Sequence, residues 1–437
     1  MSDYMFMLDS HLNAEQSRAV AQVREAAEQA NLNLFLTGGA MRDMMGGFAI
    51  RDLDFTVEGP SVKFARMLAQ KTESAVVAID ELRKSVELRF HGNVTASISM
   101  ARQEHYARPG GKPQVQPTLI HEDLRSRDFT VNAIALSLGK ASRGLLLDPT
   151  NGLGDLSRKE LRAVSNYGMY DDPSRLLRLL RFRSRLGFTV EERTMSQYRN
   201  VREAKLEAKI PAAALEYELR QIALDPNAGE ILKALEEEKL LELFSPTLTG
   251  TKLNLAGWQK LQKARQALPS GIEIGVDSYA LFLWILFEGL TARERAQLVK
   301  TVEIPKPAVD AATRLEQRAT KVERELATLK LQKPSALYGV LSKVPGEVLL
   351  MLLMRSGHRL VIDRVRNYLQ KYLPAAHEVT EKDVAQRGVE PGTPKFAKLY
   401  QQMIATRLDA RPKKVVVPEP PPVLPPPQGR RSATFGR

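Results

Sequence analysis

Hydrophobic residues follow two different periods along this chain. Helical spacing in residues 14–30 and 61–72 alternates with short apolar or alternating runs that predict strands. Those strand runs are residues 32–36, 51–57, 75–79, 86–90 and 94–100. After about residue 170 the strand pattern ends, and helical spacing continues to about residue 410. The pattern predicts an α/β head, built on a mixed sheet with flanking helices, followed by an all-α C-terminal half.

The length of the chain favours several domains. At 437 residues it exceeds the roughly 250–300 residues at which a single core stops growing. The changes in pattern place the head at residues 1–165, a first helical part at 166–245 and a second helical part at 246–412. Residues 413–437 are rich in proline and basic side chains, which predicts an extended or disordered segment.

A glycine pair and two aspartates organise the head. Gly38 and Gly39 end the first strand run, where their N–H groups could approach an anionic phosphate and the next helix would point its positive end at it. Asp52 and Asp54 lie one position apart in the second strand run, so their side chains share a face and could hold Mg²⁺ together. Alone, the glycine pair is more often a simple turn, and the aspartates are more often surface acids. The occurrence of both motifs within one βαβ-sized unit favours a phosphate and metal site.

Two further segments carry candidate chemistry in the head. Arg127 and Asp128 precede an apolar run, predicted to be helical, that contains Asn132; they could position a ribose and a phosphate, or form a structural salt bridge. Residues 106–118 are rich in Pro, Gly and Gln, which disfavours regular structure and predicts either a movable loop or a passive connector.

An arginine-rich helix is predicted to open the helical half. Arg175, Arg178 and Arg181 recur every third residue and so share one side, while leucines occupy the rest. This side predicts a cationic stripe for a negative ligand, although a solvated charged face is the common alternative. Asp172 and Arg175, three residues apart, could bond a base edge together.

Composition narrows the class of partner and compartment. The formal net charge is +13, which favours a polyanionic partner such as nucleic acid, although excess charge also aids solubility. Cysteine is absent, so the chain has neither disulfides nor thiolate zinc sites, and a reducing cytoplasm fits best. We expect no signal peptide at the N-terminus and no membrane span, because the most apolar run, residues 279–287, is too short to cross a bilayer.

Four motifs in order carry a family resemblance. They are GGAMRD with DLDF, then RDFTVNA, DPTNGLGDL, and DDPSRLLRLLRF followed by LGF. Together they resemble the class II tRNA nucleotidyltransferases and bacterial poly(A) polymerases. The resemblance covers roughly residues 30–245 and returns at residues 379–409, which are similar to a C-terminal segment of many bacterial CCA-adding enzymes.

This resemblance implies a head, neck, body and tail, with template-free addition of CTP and ATP to the 3′ end of tRNA using Mg²⁺. It implies metal binding and catalysis by Asp52 and Asp54. The implied nucleotide-binding residues are Gly38, Gly39, Arg42, Arg127, Asp128, Asn132, Asp172, Arg175, Arg178 and Arg181. Residues 106–118 fall where the family has a mobile segment.

Three departures and several alternatives accompany the resemblance. Ser97 stands where relatives commonly carry an acid, Ser126 stands where they commonly carry a first arginine, and Asp171 stands where they usually carry a glutamate. The motifs are shared by poly(A) polymerases and by enzymes that add only CC or only A, so they leave those activities open. A catalytically weakened RNA-binding paralogue is the alternative from a different class, and the sequence leaves the oligomeric state open.

Overall fold

The computed structural model describes residues 3–269, 271–272, 274–328 and 331–410. The helices of the head and the first helical part are α1 Asp3–His11, α2 Ala14–Gln29, α3 Gly38–Met45, α4 Ser61–Thr72, α5 Ile120–Ser126, α6 Gly152–Arg158, α7 Gly168–Asp171, α8 Arg175–Leu186, α9 Glu192–Glu203, α10 Ala212–Ala223 and α11 Ala228–Glu237. Those that follow are α12 Leu255–Arg265, α13 Ser278–Glu288, α14 Ala292–Val302, α15 Lys306–Leu326, α16 Pro334–Leu341, α17 Gly346–Arg355, α18 Arg359–Asn367, α19 Leu373–His377, α20 Glu381–Ala385 and α21 Pro394–Asp409. The strands are β1 Asn33–Thr37, β2 Leu53–Glu58, β3 Ala75–Asp80, β4 Ser85–Arg89, β5 Thr95–Met100, β6 Arg102–His105, β7 Gln114–Pro117, β8 Ala135–Ser137, β9 Leu146–Leu147, β10 Glu160–Leu161 and β11 Thr189–Val190.

The main sheet of the described chain has seven strands in the order β3-β4-β5-β2-β1-β8-β9. β2 pairs with β5 in parallel, and the other neighbours are antiparallel. The sheet is therefore mixed, helices flank it, and the chain beyond α8 is predominantly helical. The predicted fold class is confirmed.

The side chains of β2 alternate between two faces of the sheet: a core face, and the face that carries Asp54, which we call the functional face. Leu53, Phe55 and Val57 are fully buried and share one apolar core with Phe64 of α4. Because successive strand residues point to opposite faces, Asp54 lies on the other side of the sheet. Arg127 bonds Thr56 of β2 on that same side, and the carbonyl of Arg127 accepts from Arg175 of the arginine-rich helix α8.

Ionic contacts join the head to the helical half on this side. Arg185 of α8 donates to Asp43 of α3 at 2.7 Å, and both side chains are largely buried. Arg51, next to Asp52, donates to the carbonyl of Leu224 at the end of α10. The helix α8 is thus held against the glycine-led helix α3.

Two sequence predictions about local structure were wrong. Residues 106–118 contain the strand β7, which pairs with β6 and ends at Pro117, where the hairpin has a free edge that tolerates proline. The run after Asp128 is not a helix: residues Thr130–Asn132 form a 3-10 turn, and the chain then enters β8. Its apolar residues are buried in the sheet, where a short apolar run fits a strand as well as a helix.

Smaller differences concern element ends. The second strand begins at Leu53, so Asp52 precedes it instead of lying within it. One two-residue strand, β11, follows α8 and pairs with β10, so strands do not end entirely at residue 170. The proline-rich segment, residues 413–437, lies outside the described residues.

Within the described residues, no helix on its own has the length and apolar character needed to cross a membrane. Pro334–Leu341 and Gly346–Arg355 meet that test only together, and they are bent by 114°.

Candidate active site between the head and the arginine helix

Asp54 is held at the centre of the functional face. The N–H of Gly39 donates to its Oδ2 at 3.0 Å, and the hydroxyl of Ser97 donates to its Oδ1 at 2.9 Å. Burial raises the pKa of Asp54, while the bonds from Ser97 and Gly39 and the charges of Arg127 and Arg42 oppose the rise. The carboxylate is therefore fixed in direction but incompletely compensated in charge.

The glycine pair allows this close approach. Gly38 has a positive φ of 63°, and a Cβ there would lie 3.3 Å from Asp54 Oδ2. A Cβ at Gly39 would lie 3.0 Å from the same oxygen. A side chain would crowd the carboxylate at both positions, and at Gly38 the positive φ also disfavours any residue other than glycine.

Asp52 completes a pair of acids. It is exposed at the surface, yet the surrounding protein atoms desolvate its carboxylate, and this effect together with the charge of Asp54 raises its pKa to about 6. Two carboxylates that destabilise each other's charge are stabilised by a cation between them. Oxygen donors of this kind are the ligands that Mg²⁺ prefers. The donor set therefore fits a divalent cation at Asp52 and Asp54.

Nowhere in the described chain do three acidic or imidazole side chains converge closely enough to enclose a metal ion. A cation at Asp52 and Asp54 would take its remaining ligands from water and from phosphate oxygens. Mg²⁺ is commonly bound in that way, because it keeps several waters and uses few carboxylates.

Arg127 lies beside this pair, but it does not pair with Asp128. Its guanidinium donates to Asp123 Oδ2 at 2.8 and 3.0 Å, and to the hydroxyls of Thr37 and Thr56 at 3.2 and 3.1 Å. The backbone of Arg127 is extended, at φ −69° and ψ 172°, so its side chain and that of the next residue point in different directions.

Asp128 instead faces the arginine helix. Its Oδ2 lies 2.7 Å from Arg178, and its Oδ1 accepts from the Phe129 N–H and from Asn132. Burial would raise the pKa of Asp128, but the charge of Arg178, with further help from Arg175, lowers it overall. This contact joins head to helix and fits the salt-bridge reading of Asp128.

Arg42, in the helix that the glycine pair begins, lies against Asn132. Arg42 is 3% exposed and donates to Asn132 Oδ1 at 2.7 Å and to Asp43 at 2.7 and 2.9 Å. In this arrangement its donors serve the protein, so contact with a phosphate would require these bonds to exchange.

The predicted cationic stripe is wrong for Arg181. Its side chain is buried and pairs with Glu218 of α10 at 2.8 Å. Arg178 and Arg175 also face protein groups, so this side of α8 packs on the head and on α10 instead of facing open solvent. No sequence signal marked Glu218, which is 37 residues from its partner.

Asp172 and Arg175 lie at the start of α8. Asp172 precedes the helix, with φ −121° and ψ 88°, and its Oδ1 accepts from the Ser174 N–H at 3.1 Å and from the Ser174 hydroxyl at 2.6 Å. Its Oδ2 lies 3.9 Å from Arg175 Nε. The Nη atoms of Arg175 donate to the carbonyls of Ser126 and Arg127, but its Nε is buried without a hydrogen-bond partner. A carboxylate acceptor and an unsatisfied donor therefore lie side by side.

The β6–β7 hairpin contacts the same region. The N–H of Gly110 in its turn donates to the carbonyl of Asp171 at 3.0 Å. Gly110 has a φ of 67°, and a Cβ there would lie 2.2 Å from the carbonyl oxygen of Lys209. The hairpin is thus docked on the segment that leads into Asp172.

Comparisons with known proteins show what the chain is similar to. A family model described as the Poly A polymerase head domain matches residues 34–162. The chain is 28% identical to the A-adding tRNA nucleotidyltransferase of Aquifex aeolicus over 344 residues, which are 78% of this chain and 40% of that protein. It is 32% identical to the CC-adding tRNA nucleotidyltransferase of Deinococcus radiodurans over 203 residues, which are 46% of this chain and 53% of that protein.

Solved structures show the same fold. One described as a CCA-adding enzyme in apo form II matches with a TM-score of 0.53 and 21% identity, covering 94% of this chain and 96% of that one. A tRNA nucleotidyltransferase complexed with a primer tRNA and an incoming ATP analog matches with a TM-score of 0.50 and 25% identity, covering 80% and 98%. The chain spans about half the length, or less, of the curated relatives it matches first. Residues 34–162 thus match the poly A polymerase head domain, and the chain as a whole is similar to tRNA nucleotidyltransferases.

Proposed function

We propose that this chain is a template-independent nucleotidyltransferase that adds CTP and ATP to the 3′ end of tRNA, completing CCA. In this reaction the RNA 3′-hydroxyl attacks the α-phosphorus of the nucleotide, the bond to the β-phosphate oxygen breaks, and pyrophosphate leaves. The observation that carries the proposal is the carboxylate pair Asp52 and Asp54 beside Gly38 and Gly39, on the open face of the head.

Asp52 and Asp54 would hold the Mg²⁺ ions of this reaction. Bound there, two ions would supply activation of the hydroxyl and stabilisation of the leaving pyrophosphate. Asp54 is suited to the role because Ser97 and Gly39 fix its two oxygens. Asp52 is suited because its carboxylate is desolvated and lies in the field of Asp54, so a cation beside it would stabilise its charged form.

The nucleotide would bind between the head and α8. Gly38 and Gly39 would face its phosphates, and Arg127 with Asn132 would line the ribose side. Arg42 would reach the phosphates after exchanging its bonds to Asn132 and Asp43. Arg178 and Asp128 would act mainly by holding α8 against the head, since they pair with each other at 2.7 Å. Arg181 would support the site from inside α8, because it is buried against Glu218.

Base selection would fall to Asp172 and Arg175. Cytosine and adenine both present an exocyclic amine beside a ring nitrogen acceptor, whereas uracil and guanine present a carbonyl in place of the amine. The free Oδ2 of Asp172 can accept from the amine, and the unpartnered Nε of Arg175 can donate to the ring nitrogen. This pair supports a preference for CTP and ATP without a nucleic-acid template.

Partial addition is the second candidate. It is favoured by relatives whose names are A-adding and CC-adding, and the acceptor and donor at Asp172 and Arg175 suit either base. Addition of a poly(A) tail uses the same chemistry and the same pocket.

Primer length separates these activities. The full chain is incubated with Mg²⁺, labelled CTP or ATP, and tRNA transcripts that end before CCA, after C or after CC. The proposal predicts incorporation of CTP on the first two transcripts and of ATP on the third, with growth stopping at CCA. Addition of only C residues, or only one A, would assign the partial activity. Long A tracts would assign poly(A) addition, and failure of all transcripts with both nucleotides would refute the proposal.

A further inference from the structure

A third carboxylate lies on the functional face, one strand beyond Ser97. Strand register pairs Asp54 of β2 with Ser97 of β5, and Ser97 in turn with Glu87 of β4. Directly opposed residues on paired strands point to the same face. The hydrogen bond from Ser97 to Asp54 fixes which face this is. Val86 and Leu88, on either side of Glu87, are fully buried, so Glu87 points away from the core and toward the acid pair.

Glu87 is half-buried, and its carboxylate lacks a close partner in the described part of the chain. Among the described residues its carboxylate has neither a hydrogen bond nor an ion pair, whereas most acids of the head have one. The charge of Arg220 on α10 acts on Glu87, but the guanidinium of Arg220 is bonded to Glu216 at 2.6 Å and lies over the ring of Tyr279. The negative charge of Glu87 is therefore only partly offset, by a cation that a second acid shares.

The spacing indicates how Glu87 can act. Two strand separations place its Cα about 10 Å from that of Asp54. In the described chain Glu87 does not converge with Asp52 and Asp54 into a three-ligand cluster, so direct binding of one ion by all three is not the observed arrangement. The small Ser97 side chain between them leaves room for water, and Mg²⁺ retains several of its waters when bound.

We propose that Glu87 is the third carboxylate of the divalent-cation site at Asp52 and Asp54, which it serves through metal-bound water. The inference rests on the proposed function, since it assumes a cation there. It assigns to Glu87 the negative charge that Ser97 does not provide, and makes Glu87 a positioning residue that strengthens cation binding without touching the nucleotide.

The test measures metal binding without turnover. Mn²⁺ is titrated into the full-length protein and followed by electron paramagnetic resonance, for the wild type, Glu87→Gln, Asp54→Asn and Glu81→Gln. Glu81 is the matched control, because it is an exposed acid just before β4 whose described partners are surface cations. Loss of a partner outside the ligand shell commonly weakens metal binding 10- to 100-fold, so Glu87→Gln is expected to raise the Kd for Mn²⁺ about 10-fold.

A second readout is the Mg²⁺ concentration that gives half-maximal incorporation. Glu87→Gln is expected to raise it about 10-fold while saturating Mg²⁺ restores the wild-type rate. Weakened Mn²⁺ binding in Asp54→Asn and Glu87→Gln, with Glu81→Gln unchanged, supports the inference. Weakening in Asp54→Asn but not in Glu87→Gln overturns the inference and leaves the proposed function intact. Unchanged binding in Asp54→Asn overturns the cation site itself.

Discussion

Asp172→Asn tests base selection without disturbing the start of α8. In the wild type, Oδ1 accepts two hydrogen bonds from Ser174, and Oδ2 faces Arg175 Nε at 3.9 Å. An asparagine can keep its oxygen toward Ser174, because an amide nitrogen there would face another N–H donor. The substituted amide then presents a donor where the carboxylate presented an acceptor.

The size of the effect follows from the bond that is lost. A hydrogen bond to a charged group contributes about 1.5–3 kcal/mol, and an unpaired group in a closed pocket costs a similar amount. Each 1.4 kcal/mol is about tenfold, so the exchange should lower kcat/KM for CTP and ATP about 10- to 150-fold. The kcat/KM for UTP should increase, because the carbonyl of uracil can accept a hydrogen bond from the new amide.

The assay is steady-state incorporation of each of the four nucleotides on a truncated tRNA. Asp171→Asn is the matched control, because Asp171 is the adjacent acid and its carboxylate makes no described hydrogen bond or ion pair, although the charges of Arg175 and Asp172 act on it. The control should keep the wild-type order of nucleotides. If Asp172→Asn also keeps that order, base selection does not depend on this carboxylate.

Three further predictions concern docking, stability and pH. Gly110→Ala should release the β6–β7 hairpin, because the alanine Cβ would lie 2.2 Å from the carbonyl oxygen of Lys209 and φ is 67°. The expected result is faster tryptic cleavage within the hairpin, with unchanged stability toward urea. Asp128→Asn should cost about 3 kcal/mol at pH 7, because Arg178 loses its closer acidic partner and keeps only Glu218, at 3.8 Å. Because the pKa of Asp128 is lowered, its contribution is present above the ordinary aspartate pKa and is lost as pH falls through the lowered value, so urea denaturation should show the two proteins converging in acid. Because the pKa of Asp52 is raised to about 6, the rate of incorporation at limiting Mg²⁺ should decrease below pH 6. Saturating Mg²⁺ should shift this decrease to lower pH. A pH-rate profile that does not change with Mg²⁺ concentration would contradict this.

The hydrophobic periodicity of the sequence was sufficient to predict the main strands and helices of the head. The alternation around Asp54 and the helical spacing of residues 61–72 reflect burial on one face, and both appear as predicted. The β6–β7 hairpin was missed because its stability comes from pairing and from docking through Gly110, while its composition is that of a loop.

Side-chain partners could not be obtained from sequence proximity. Adjacency suggested that Arg127 acts with Asp128, but the extended backbone turns the two apart, and Arg127 binds Asp123 while Asp128 binds Arg178. Helical spacing suggested a stripe facing a ligand, yet it could not reveal that α10 supplies an acid to Arg181. Such pairings depend on how distant elements pack, and no local pattern records them.

The central claim is that Asp52 and Asp54 carry out nucleotide transfer. Its most direct test is incorporation of labelled CTP into a tRNA lacking CCA by Asp52→Ala and Asp54→Ala, with tRNA affinity and thermal unfolding measured on the same samples. We predict that each substitution lowers the rate by about 10³-fold or more, while tRNA binding and folding stay near wild type. Wild-type turnover in either variant, with its fold intact, would contradict the assignment of this site.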